Sequence, residues 1–166
     1  MLKILVSASL SSFFFGLFGG GWDSVDQKID SEYPRVNFIS TDQLRINQQS
    51  ESPFLHVFDV RESEEFAVSH LSGALNYSES SSIAGMVTNK NTAIVVYCSV
   101  GYRSAAVADE LATLGFTNVR NLKHSIFEWA EKGYPLVNSK GVVQSVHPYN
   151  PAWGALIDES LHQYPQ

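Results

Sequence analysis

Ala93-Ile94-Val95-Val96-Tyr97-Cys98-Ser99-Val100-Gly101-Tyr102-Arg103-Ser104 is the stretch that decides how this 166-residue chain is read. Its first five residues are apolar and rich in β-branched side chains, which predicts a short strand. Ser104 to Leu114 places Val107, Leu111 and Leu114 at helical spacing beside Ala105, Ala108 and Ala112, so a helix with one broad apolar face follows, ended by Gly115. Cys98, the only cysteine in the chain, falls where strand hands over to helix. A thiol there faces the unpaired N–H groups of the loop and first helical turn, whose partial positive charge favours an anion. The expectation is a stabilised thiolate, and therefore a nucleophile. The ordinary alternative is a small buried residue filling core. Gly101, which lets the loop curl around the sulfur, and Arg103, which sets a cation at its rim, favour the nucleophile.

Working outward, Val36 to Ile39 reads as a strand, and Ser40-Thr41-Asp42-Gln43 as a capping box that opens a helix. Phe54 to Asp59 is a strand, Ser63 to Val68 a short helix, and Ser81 to Val87 a weaker one. Beyond Gly115, Asn118 to Leu122 is a strand and Ser125-Ile126-Phe127-Glu128 a second capping box, with a helix running through Lys132. Strands alternating with helices imply an α/β fold, a parallel sheet covered on both faces. Ligand sites in such sheets lie at the carboxyl ends of strands, where Cys98 stands.

The chain is 44% apolar with a formal charge of −6, enough for one core domain with additions. The absence of any basic run argues against nucleic acid as a partner. His56, His70, His124, His147 and His162 are scattered and have one cysteine among them, so no metal site and no cofactor are expected. Residues 1–22 differ in kind: Lys3 is followed by a charge-free run, Ile4 to Gly20, containing Phe13-Phe14-Phe15. That pattern resembles a secretory signal or short membrane anchor, and its lack of arginine argues against a transit peptide. The expected location is exported or membrane-anchored, periplasmic in a bacterium, with the cytoplasm as the alternative. Residues 23–35 read as a polar connector, 36–137 as the domain, and 138–166 as an extension. In that extension Asn150 and Pro151 open an expected helix over about 151–163, with Trp153, Leu156, Ile157, Leu161 and Tyr164 near one face, laid on the domain as packing, as a partner surface or as a cover over the pocket.

Two separated stretches carry a family resemblance. The first is Phe58-Asp59-Val60-Arg61-Glu62, then Glu65-Phe66 and His70-Leu71-Ser72-Gly73-Ala74; the second is the Cys98 to Ser104 loop, then Gly115-Phe116 and Trp129 ahead of Gly133-Tyr134-Pro135. From about Asn37 to Val137 the chain resembles a single rhodanese domain. The resemblance implies a three-layer fold with a central parallel sheet, and a sulfurtransferase whose Cys98 cycles through a persulfide. It implies a small-molecule donor such as thiosulfate and a thiophilic acceptor, with a protein thiol as one form of acceptor; membrane contact is expected only through the N-terminal segment, on that segment's own pattern. Cys98 is then the catalytic residue, and Ser99, Val100, Gly101, Tyr102, Arg103 and Ser104 bind substrate. In that reading Arg103 pairs the anionic donor, and Val100 and Tyr102 shape the mouth. Asp59 and Arg61 brace the neighbouring loop, with Arg61 near the donor, a plain structural ion pair being the alternative.

Only four residues separate Cys98 from Arg103, one fewer than in the Cys-x5-Arg loops that cradle phosphate, so sulfur transfer is favoured over phosphatase chemistry. Where many rhodaneses carry adjacent glycines, this chain has His124-Ser125; His124 either touches substrate or is a loop residue beside Ser125 as helix cap. Two other functions stay open at this point: a non-catalytic interaction module, and a thiol redox relay.

Overall fold

Strand β5 (Ala93–Tyr97) occupies the centre of a five-stranded parallel sheet, flanked by β2 (Leu55–Asp59) and β6 (Val119–Leu122). β1 (Phe38–Ile39) pairs with the outer side of β6, and β4 (Leu75–Asn76) with the outer side of β2. The order β1-β6-β5-β2-β4 aligns Asp59 with Tyr97 and Asn121 with Val96, which brings the carboxyl ends of β2, β5 and β6 together. The structure is a computed structural model, and it describes residues 20–50 and 55–165. The expected export segment thus lies outside the described residues up to residue 19, as does Phe54 at the expected start of β2.

Alternation along β5 divides the core into two layers. Ile94, Val96 and Cys98 pack with Val107, Ala108 and Leu111 of α5 (Tyr102–Thr113) and Ile83 of α4 (Ser80–Met86). Val95 and Tyr97 face the opposite layer, with Leu44 of α2 (Thr41–Gln49) and Ile126 and Phe127 of α6 (Ser125–Glu131). The expected α/β architecture with both faces covered is the observed one, and α3 (Ser63–Val68) sits at the expected residues.

Helix α5 begins at Tyr102, two residues before its expected start, because Gly101 adopts φ 102° and turns the chain into the helix at once. Its end is the expected one: Gly115 at φ 91° lets Phe116 N–H reach Leu111 O at 3.1 Å and Gly115 N–H reach Ala112 O at 3.0 Å. A second sheet, antiparallel, joins β3 (His70–Leu71), β7 (Leu136–Asn138) and β8 (Gly141–Val143). Two- and three-residue strands show no period, so the sequence carried no signal for it.

Both ends depart from expectation. The polar connector contains α1 (Trp22–Glu32), which buries Val25 and Ile29 in the larger core layer. The helix expected over 151–163 covers only α7 (Pro151–Gly154), followed by a 3-10 turn, Glu159–Leu161. Asn150 does cap α7, its Oδ1 accepting from Trp153 N–H at 2.9 Å. The chain then doubles back, because Asp158 accepts from Ser160 N–H and Val146 N–H bonds Leu161 O at 2.8 Å. That return buries Ile157 as well as Trp153, which a straight helix would have carried away from the domain.

Candidate active site

The loop after β5 wraps Cys98 with its own backbone. Gly101 N–H donates to Cys98 Sγ at 3.2 Å, and the Ser104 hydroxyl stands 3.5 Å from the sulfur. Ser104 Oγ also donates to Asn121 Oδ1 at 2.7 Å, while Asn121 Nδ2 donates to the Gly101 carbonyl at 2.8 Å. The Ser104 hydroxyl thus lies between the sulfur and Asn121, and β6 holds the turn of the loop through a single buried amide. The first turn of α6 fixes the other side: Cys98 N–H donates to Ser125 Oγ at 3.1 Å, Ile126 N–H to Cys98 O at 3.2 Å, and Phe127 N–H to Ser99 O at 3.1 Å.

A carboxylate from α3 completes the loop. Glu65 takes Arg103 Nη1 on one oxygen and Arg103 Nη2 on the other, each at 2.8 Å, and its Oε2 also accepts from Glu62 N–H. Ser99 Oγ donates to Glu65 Oε1 at 3.2 Å and accepts from Arg103 Nη2 at 3.0 Å. Burial opposes the charge on Glu65, but the Arg103 hydrogen bonds and charge prevail and hold its pKa below the ordinary carboxylate value. For Arg103, burial likewise works against the charge, while Glu65 and then the nearby Cys98 raise its pKa.

Asp59 and Arg61 form a second pair at the end of β2, with no exposed surface on either side chain. Arg61 Nε and Nη2 bond the carboxylate at 2.6–3.2 Å, and Nη2 also donates to Ser69 O at 2.7 Å. Asn76 Nδ2 donates to the carbonyls of Asp59 and Arg61, so this pair knits β2, β4 and the stretch before β3. The geometry is that of a brace.

Among the expected substrate-binding residues, Ser99, Gly101, Arg103 and Ser104 gather around Cys98 as described. Val100 does not shape a mouth: it is fully buried within the larger core layer. Tyr102 turns to α1, its hydroxyl donating to Glu32 and its ring lying 5.0 Å from Lys28 Nζ. Ser125 is not the cap of a capping box, because its hydroxyl accepts from Cys98 N–H and donates to Leu122 O. His124 is the residue before the helix, and its ring meets Asp26, Glu128 and Trp22. Glu65, Asn121, Tyr149 and Trp153 were not expected at the site. Glu65 had one signal, its place three residues after Glu62 at the start of α3. Asn121 had none, while Tyr149 and Trp153 belong to the extension, whose place beyond the family pattern allowed it to cover or extend the pocket. Among the described residues, no group of three His, Cys, Asp or Glu side chains converges as a metal site requires.

Comparison with known proteins agrees with this fold. The family model Rhodanese-like domain matches residues 41–132. Thiosulfate sulfurtransferase PspE of Escherichia coli (strain K12) is 35% identical over 69 residues, which are 40% of this chain and 66% of that protein. Curated relatives are matched over 50–66% of their own lengths. A rhodanese-related protein from Thermoplasma volcanium superposes with a TM-score of 0.52 at 28% identity, covering 61% of this chain and 97% of that one. The human single-domain sulfurtransferase TSTD1 gives 0.50 at 26% identity, covering 58% and 97%.

Proposed function

Since this chain belongs to the rhodanese-like domain family, we propose that it moves sulfane sulfur from a small donor such as thiosulfate to a thiophilic acceptor through a persulfide on Cys98. The observation that carries the reading is the Gly101 N–H pointed at Cys98 Sγ at the carboxyl end of β5. An amide so placed receives negative charge on the sulfur without reorganising.

In the first step the Cys98 thiolate attacks the outer sulfur of the donor. A bond forms from Sγ to that sulfur, and the donor's S–S bond breaks with its electron pair leaving on sulfite. In the second step an acceptor such as cyanide takes the outer sulfur as thiocyanate, and the thiolate returns. Arg103 contributes its charge beside the sulfur and its grip on Ser99, since its terminal nitrogens are engaged by Glu65. Asp59 and Arg61 hold β2 and β4 in place behind the loop. Ser104 stands where it can hold or pass the thiol proton.

Cyanide-dependent thiocyanate formation by the wild type and by Cys98→Ser tests the reading. Activity in the wild type and none in the variant is expected, because serine is not ionised at neutral pH and carries no persulfide. Equal rates would overturn it. The reading also includes export, supported by the charge-free run after Lys3. Fusing residues 1–30 to a reporter active only after export tests that part, and retention of the reporter in the cytosol would remove it.

A further inference from the structure

The C-terminal extension reaches the site from beyond the residues the family model matches. Val146, Trp153 and Ile157 anchor it in the larger core layer, and its ends are clasped by the bonds Val146 N–H to Leu161 O and Gln163 N–H to Val146 O. Between these anchors the segment crosses the Arg103 side of the catalytic loop. The Tyr149 ring lies 4.4 Å from the guanidinium carbon of Arg103 and the Trp153 ring 5.6 Å from it, with the two rings 4.6 Å apart. A cation within about 6 Å of a ring centroid is attracted to its face. Aromatic rings therefore cover the face of Arg103, and Glu65 and Ser99 occupy its edge.

Two further facts single out Tyr149. It is 40% exposed, whereas the Arg103 side chain is 22% exposed and Cys98, Ser99 and Val100 have no exposed surface, so its ring stands on the solvent side of the buried loop, beside Arg103. Its backbone is held at φ 64°, a region strained for a residue other than glycine, and its N–H donates to His147 Nδ1 at 2.9 Å. On the other flank, α1 covers Tyr102, the neighbour of Arg103 in the chain.

We propose that Tyr149 is a specificity-determining residue for sulfur transfer: it narrows the approach to Cys98 so that small free sulfur species react there and a persulfide carried on another protein does not. The proposal rests on the sulfurtransferase reading. Attack requires the reacting sulfurs to come within about 3.5 Å. A donor of a few atoms needs only a small displacement of one ring. A protein-borne persulfide brings its carrier's backbone within one side chain's length of Cys98 Sγ, and so up against the rings that lie over Arg103.

Cys98 is the only thiol, so its alkylation reads the approach without relying on sulfur transfer. Iodoacetamide and a maleimide attached to a polymer of protein size would be compared on the full chain as wild type, Tyr149→Gly and Tyr149→Phe. Glycine accepts φ 64° without strain, and phenylalanine keeps the ring. The rate ratio of large to small reagent should rise about tenfold or more in Tyr149→Gly and stay at the wild-type value in Tyr149→Phe. The ratio of kcat/KM for a persulfidated protein to that for thiosulfate should rise in parallel. An unchanged alkylation ratio in Tyr149→Gly, or an equal rise in Tyr149→Phe, would overturn the proposal. Should transfer be absent from all three proteins, the sulfurtransferase reading fails, and the alkylation ratio still decides whether Tyr149 guards the thiol.

Discussion

Arg103 and Glu65 meet edge to edge, two parallel hydrogen bonds of 2.8 Å joining the loop that holds the sulfur to the helix that follows β2. A bidentate pair of this kind fixes orientation as well as distance. It ties together the two stretches of sequence that carry the family resemblance, through residues 38 positions apart in the chain.

Removing one partner leaves the other charged and nearly buried, since Glu65 is 3% exposed. Arg103→Ala should cost roughly 3–5 kcal/mol, read as a lower urea midpoint at unchanged m-value. Arg103→Lys should recover only part of this, because an ammonium is a point charge and cannot form both bonds. A stability loss within error of zero for Arg103→Ala would show that the pair holds nothing.

The pair also fixes a pH dependence. The pKa of Glu65 is lower in the folded protein than its ordinary 4.5, so the unfolded chain binds the proton more tightly. Its contribution to stability is complete above 4.5 and is lost as pH falls through the folded value. Glu65→Gln should therefore flatten the acid limb of a stability–pH curve below 4.5 while lowering stability near neutrality. Parallel acid limbs in variant and wild type would contradict this.

Ser125 supports the nucleophile through its backbone. In Ser125→Ala the buried Cys98 N–H loses its acceptor, which should cost about 1–3 kcal/mol. Alanine must also hold the positive φ that Ser125 adopts, 51°, which glycine tolerates. Ser125→Gly should thus be the more stable of the two in thermal melts, although it too lacks the hydroxyl. The reverse order would mean that the left-handed backbone there is not strained.

Four strands of the central sheet were legible and the two-residue β4 was not: β5 shows as a continuous apolar, β-branched run, α5 is long enough to show its period, and Gly115 ends α5 with an unmistakable stop signal. Cys98 was legible as well, from its place between them. What stayed hidden depends on contacts distant in sequence. Glu65 faces Arg103 only after α3 is packed, and Asn121 reads as an ordinary polar residue in a strand until the loop folds over it. Ser125 carries the pattern of a helix cap, yet the left-handed turn at His124 and Ser125 sends its hydroxyl to Cys98 instead. In the extension, side chains near one helical face suggested a single helix, and the burial of both Trp153 and Ile157 required a turn.

Intact-mass spectrometry of the protein after incubation with thiosulfate and removal of excess donor tests the central claim most directly. The persulfide adds about 32 Da, one sulfur atom held covalently on the nucleophile. The wild type should carry this addition, Cys98→Ser should not, and cyanide should remove it with release of thiocyanate. A wild-type mass unchanged by the donor, or an identical addition on Cys98→Ser, would contradict the account.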